Sequence, residues 1–118
     1  MKQKVHSVSY LAKAEFKFTD GVYDLVALPS GAEVINVFLE VVGSPMAGNI
    51  SVGFKDETDK NYFLTLQDIK EDSRGVSLRN YTATSNKVVV AEVKAAEGSA
   101  KCVLKVVYFL PSVIEVEY

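Results

Sequence analysis

Apolar and polar residues alternate with a period of two along most of the chain. From Val8 to Phe18 the even positions are apolar, while the odd positions hold serine, lysine and glutamate, interrupted only by Leu11. Such alternation is typical of a β-strand with one buried face. Other segments alternate in the same way or are apolar on both faces, and we predict strands there as well: 22–28, 33–42, 50–54, 62–66, 87–93, 101–110 and 112–118, with a weaker strand around 76–81.

Turn signals separate these strands every eight to twelve residues, and no amphipathic helix of ten or more residues competes with them. We expect the glycine- and proline-containing segment 43–49 to be a loop or hairpin connection, and 94–100 to turn the chain. The pattern predicts an all-β protein with one antiparallel β-sandwich domain spanning 1–118, as an eight-stranded jelly roll. An immunoglobulin-like sandwich is the alternative, although its cysteine and tryptophan hallmarks are missing.

Two predicted strands, 33–42 and 101–110, carry more apolar residues than one buried face requires. In "EVINVFLEVV", residues 33–42, the odd positions from Ile35 to Val41 are all apolar and are expected to face the core, yet the even positions are half apolar as well. Burying one such side chain is worth roughly 1.5–3 kcal/mol, so leaving the second face wet would be costly. Either long loops such as 68–80 fold back over it, or a neighbouring subunit covers it.

The subunit hypothesis assigns specific residues to the interface. The C-terminal strand tail, 112–118, would then cross to the sheet edge of a neighbouring subunit. The predicted interface positions are Val34, Phe38, Val42, Val103, Val107 and Phe109 on the strands, and Ile114 and Val116 in the tail.

The composition of the chain argues against nucleic-acid-binding and membrane-spanning proteins. The chain has 118 residues, 48 % of them apolar and 24 % charged, with a formal net charge of −2, as in an ordinary globular domain. This balance gives no attraction to phosphate backbones, so we expect no nucleic-acid partner. No segment approaches the roughly 18 apolar residues of a membrane span, and we expect a soluble protein made in the cytoplasm.

The sequence contains no recognisable catalytic set. His6 and Cys102 are the only histidine and cysteine, too few for a cupin metal site or a cysteine zinc site, and Cys102 is expected to be buried. The acidic segment 56–61 lacks the spacing of a calcium loop and is predicted to be a solvated turn. The six tyrosines are scattered without a visible stacking platform. We therefore predict no enzyme activity, no catalytic residues, no metal and no cofactor.

A family resemblance lies in the region 22–63. The corner "LPSGAEV", the apolar strand after it, the short glycine-containing loop and the strand "ISVGF" resemble small virion proteins of tailed bacteriophages. The motif residues here are Pro29, Gly31, Val52 and Gly53, for which the resemblance implies structural roles.

The resemblance also implies a function. Such proteins are similar to capsid decoration or cement proteins and head-fibre bases, often jelly-roll trimers on a capsid lattice. It implies a non-enzymatic homo-oligomer, with a trimer favoured, that binds the major capsid protein at the capsid surface of the virion after synthesis in the host cytoplasm. The alternative is a carbohydrate- or receptor-binding module of a phage fibre or surface appendage.

Overall fold

The described residues of this computed structural model are 2–6, 9–110 and 113–117, and side chains are described for 9–110. They form nine β-strands and no helix, so none of them belongs to a helix that could cross a membrane. All pairs between these strands are antiparallel. The strands are β1 (Lys2–His6), β2 (Ser9–Lys17), β3 (Gly21–Leu28), β4 (Glu33–Phe54), β5 (Leu64–Leu66), β6 (Ser73–Ser77), β7 (Tyr81–Thr82), β8 (Lys87–Phe109) and β9 (Val113–Glu117).

Two long strands, β4 and β8, pair with each other along almost their whole length and organise the seven-stranded sheet. Residues 33–43 of β4 and 100–109 of β8 lie between β2 on one side and β6 and β7 on the other, and we call this group the first layer. Residues 49–54 of β4 and 87–94 of β8 lie between β3 and β5, and we call this group the second layer.

The two layers face each other across the core. Val34 pairs with Tyr81 at one end of β4, and the ring of Phe54 at the other end lies 4.5 Å from the ring of Tyr81. Twenty residues of straight strand would span roughly 66 Å, so β4 must fold back on itself. The predicted all-β, antiparallel sandwich of jelly-roll type is therefore confirmed.

The corner between the layers lies where the sequence suggested chain reversals. The expected loop at 43–49 and the expected turn at 94–100 are wrong, because both segments remain strand and pair with each other. Pro45 lies opposite Gly98, and the register shifts twice after it, between Pro45 and Ala47 and between Ala47 and Asn49. Gly98 has a φ of +97°, and a Cβ there would collide with the backbone oxygen of Ser44. The glycines bend the paired ribbon; they do not end it.

The four motif residues occupy structural positions. Gly31 has a φ of +88° in a turn closed by a hydrogen bond from the Ala32 N–H to the Pro29 oxygen, 3.0 Å long. Val52 is fully buried in the core, and the backbone of 60–62 approaches Gly53 too closely for a side chain. Each residue thus shapes the sandwich.

The strands β1 and β9 form a separate two-stranded ribbon, which we call the arm. The pair Ser9–Phe109 of β2 and β8 is followed by the pair His6–Val113 of the arm, in the same antiparallel sense and one residue out of register. The molecule is correspondingly elongated, at 55 × 25 × 18 Å. The tail is a strand over 113–117 and pairs with β1 of its own chain, while its exchange between subunits stays a prediction.

Candidate interaction surface

The outer face of the first layer carries a shallow groove with a volume of about 540 Å³. Its floor and sides come from four neighbouring strands, β2, β8, β4 and β6. We call it the first-layer groove. Its outward-facing side chains are Leu11, Lys13, Phe38, Glu40, Arg74, Val76, Val103, Lys105 and Val107.

Strand alternation determines which residues reach this groove. Val37, Leu39 and Val41 of β4 are buried in the core, as the sequence predicted for the odd face of this strand, whereas Ile35, expected there too, is only partly buried. Phe38 and Glu40 between them therefore point outwards. In β8 the residues Cys102, Leu104 and Val106 are buried in the same way, which turns Val103, Lys105 and Val107 outwards.

Five predicted interface positions keep some exposure in the single chain. Phe38, Val103 and Val107 line the groove, and Val42 is 44 % exposed further along β4. Phe109 is partly buried at the end of β8, next to the base of the arm. The structure brings the first three together on one surface, although their role as an interface stays a prediction. The side chains of Ile114 and Val116 lie outside the described residues.

Val34 is the exception, because it lies in the core with no exposed surface. The pairing of β4 with β8 shifts by one residue between Val34 and Asn36. Such a bulge moves every residue before it to the opposite face of the strand, so Val34 points inwards despite its even number. Assigning it to an outer interface is therefore wrong.

No loop among the described residues covers the groove. The segment 68–80, one candidate for such a cover, instead contributes β6, which pairs with the edge of β4 inside the same layer. Leu11 and Val76 consequently remain 61 % and 58 % exposed. The groove residues that sequence reasoning missed include these two, and the interruption of the polar row by Leu11 was the available signal.

The charges of the groove are only partly balanced. Arg74 donates to Glu40 at 2.9 Å, and Lys101 contacts Glu15 at 2.8 Å beside the groove. The hydrogen bond from Lys101 lowers the pKa of the Glu15 carboxyl, with further contributions from the charges of Lys101 and Lys13. Lys13 and Lys105 stand opposite each other on β2 and β8, and neither forms an ion pair within the described part of the chain.

The other candidate groups do not assemble into a reactive site. Cys102 is fully buried, and desolvation raises its pKa to about 11, so the neutral thiol is favoured. Asp56 in the acidic turn pairs with Lys87, whose hydrogen bond lowers the pKa of this carboxyl. Within 2–6, 9–110 and 113–117 no three histidine, cysteine or acidic side chains are grouped to hold a metal ion. The side chain of His6 lies outside the described set.

The tyrosines serve mainly as packing residues. Tyr62 and Tyr81 join Phe54 and Phe63 in one cluster, with ring centroids between 4.5 and 5.5 Å apart. Tyr10, 47 % exposed, stacks on Tyr108 at 5.6 Å. These four tyrosines thus take part in ring–ring packing within the chain.

Solved structures contain chains that are similar to this one in sequence and fold. One chain of the "Acidic stable capsid structure of Helicobacter pylori bacteriophage KHP30" is 66 % identical, with a TM-score of 0.92 and full coverage of both chains. The chain belongs to a family of bacteriophage virion structural proteins.

The predicted resemblance to phage virion proteins is thereby confirmed, and the protein is a capsid-associated structural protein. A chain of the "Cyanophage Pam1 capsid asymmetric unit" shares the fold at 20 % identity and a TM-score of 0.66, covering 87 % of this chain and 85 % of its own length. No family model and no curated protein matches the sequence.

Proposed function

We propose that this virion protein is a non-enzymatic decoration or cement protein that self-associates and binds the major capsid protein at the capsid surface. The observation that carries the proposal is the open first-layer groove, which exposes Leu11 and Val76 on a protein whose relative is part of a phage capsid structure. Apolar surface of this kind on a soluble domain marks an interaction site. A homotrimer is the favoured oligomer.

The mechanism would be reinforcement through buried contact area. A small rigid sandwich has little to order when it binds, so most of the contact free energy is retained. A subunit that bridges neighbouring capsid proteins adds contacts that must break before the shell opens. Tyr62 and Tyr81 pack within the aromatic cluster and Tyr10 stacks on Tyr108, so the carbohydrate-binding alternative has less support.

The test combines solution mass with binding to capsid shells that lack this protein. The wild-type chain should form oligomers, sediment with shells and raise the temperature at which they open. Val76→Asp places a charge in the groove and should weaken self-association or shell binding, because one buried unpaired charge costs several kcal/mol.

Val22→Asp is the matched control, since Val22 is 47 % exposed on the outer face of the second layer. It should bind like wild type. A monomer that ignores shells and binds a glycan would contradict the proposal and support the alternative.

A further inference from the structure

We propose that the arm of one copy docks in the first-layer groove of a second copy, so that subunits are joined head to tail. This inference rests on the self-association proposed above and names the two segments that produce it.

The strand register separates the arm into two unlike faces. Lys2 lies opposite Glu117 and Lys4 opposite Glu115, and residues that are paired or two apart along a strand share a face. This face therefore holds two lysine–glutamate pairs of opposite charge, together with the pair His6–Val113. It suits water.

The other face of the arm is mainly apolar. Val5 lies opposite Ile114, and the neighbouring pair is Gln3 with Val116. Within the described residues, β1 and β9 contact each other, and neither packs extensively against another of the nine strands. An isolated two-stranded ribbon is at best marginally stable in water, so three apolar residues on one face favour a partner surface.

The groove matches this ribbon in width and character. It spans four strands spaced about 4.8 Å apart, which is wider than a two-stranded ribbon. Its exposed apolar side chains would pack against the apolar face of the arm. The stems of Lys13 and Lys105 can cover the ribbon while their ammonium groups stay in water. The lysine–glutamate face of the arm would then point to solvent.

Geometry favours a second copy over the same chain. The groove is built partly on β2 and β8, and the arm continues beyond the same ends of these strands in the same antiparallel sense. The arm therefore begins beyond the Ser9–Phe109 pair, outside the residues that line the groove of its own chain. Arm-to-groove docking joins two different surfaces, and such a contact closes a ring when the rotation between subunits permits. A ring of three subunits agrees with the homotrimer favoured in the proposed function.

Cross-linking between two differently tagged populations tests the inference. One population carries Val116→Cys in the arm, and the other carries Val76→Cys in the groove. They are mixed and treated with a short bismaleimide, in solution and on shells. Buried Cys102 is common to both and should not react. We expect a product that contains both tags, and we expect its loss when Val22→Cys replaces Val76→Cys.

A second pair of variants distinguishes docking of the arm from nonspecific hydrophobic association. Ile114→Asp should convert the oligomer to monomer, while Glu115→Gln, on the charged face, should leave the oligomer mass unchanged. Oligomers that give no mixed product with Val76→Cys, or that give it equally with Val22→Cys, would overturn the inference and leave self-association standing. Monomers under all conditions would overturn both, whereas sedimentation with shells reports capsid binding separately.

Discussion

The two layers are built on the same two strands, β4 and β8, yet their outer faces differ. In the second layer the backbone of 60–62 lies over Gly53, and Val90, which pairs with Gly53, is fully buried. An ion pair of 2.7 Å between Lys55 and Asp24 joins the end of β4 to β3. In the first layer no described loop covers the groove, and Val76 is 58 % exposed.

The difference teaches how to interpret strands that are apolar on both faces. Val90 needs no partner chain, because it is already buried within the single chain, beside Gly53 and the backbone of 60–62 that approaches Gly53. Val103 and Val107 have the same residue type and a similar sequence pattern but line the open groove, where the proposed function has a second molecule cover them. Under the proposed function, excess apolar residues have two distinct causes within one chain.

The largest expected difference in stability separates two glycines, one in each layer. A Cβ at Gly53 would lie 2.7 Å from the Lys60 carbonyl carbon, so Gly53→Ala must displace the covering backbone. We expect the free energy of unfolding, measured in urea, to fall by roughly 1–3 kcal/mol.

Gly75→Ala in the first layer is the matched comparison. Its Cβ would meet the methyl groups of Leu66 and Leu64 at 3.0 and 3.3 Å, and side-chain ends can move. We expect a change within about 0.5 kcal/mol. Equal losses at both glycines would mean that the 60–62 segment is not a fixed cover.

A smaller effect is expected from the ion pairs on the two outer faces. Asp24→Asn breaks the pair with Lys55 in the second layer, and Glu40→Gln breaks the pair with Arg74 in the first. Because all four side chains are at least 41 % exposed, each change should cost less than about 1 kcal/mol in unfolding free energy. A larger loss at Asp24 would show that the ion pair, and not the loop, holds the second face closed.

The smallest effect is the response of stability to pH. The pKa values of the Glu15 and Asp56 carboxyls are lowered by Lys101 and Lys87, so their stabilisation is present above the ordinary carboxyl pKa and is lost as the pH falls through the lowered values. At alkaline pH the raised pKa of Cys102, about 11, favours unfolding once the pH exceeds the ordinary thiol value. Unfolding monitored by circular dichroism should therefore vary little between about pH 5 and 8. A steep change inside that window would contradict this assignment.

Much of the fold followed from local periodicity. Alternation in 33–42 correctly separated Val37, Leu39 and Val41 from Phe38 and Glu40, because burial on one face forces a period of two. The position of Val34 could not be predicted, since a bulge at the start of β4 depends on pairing with distant β8. The continuation of the strand through 43–49 could not be predicted either, because glycine and proline are found both in bends of a strand and in chain reversals.

The candidate surface was predictable only in part. Phe38, Val103 and Val107 stand out along their own strands, whereas Val76 lies in a short, weakly patterned strand. The groove arises from four strands that are far apart in sequence, and which loops cover a sheet is decided by tertiary packing.

The central claim is that the first-layer groove becomes buried on assembly while the outer face of the second layer does not. Maleimide labelling of Val76→Cys and Val22→Cys, in dilute protein and on the virion, measures this directly. We predict that both cysteines react in the dilute protein, and that on the virion only the cysteine at position 76 is protected. Equal labelling of both positions on the virion, or protection at position 22 alone, would contradict the account.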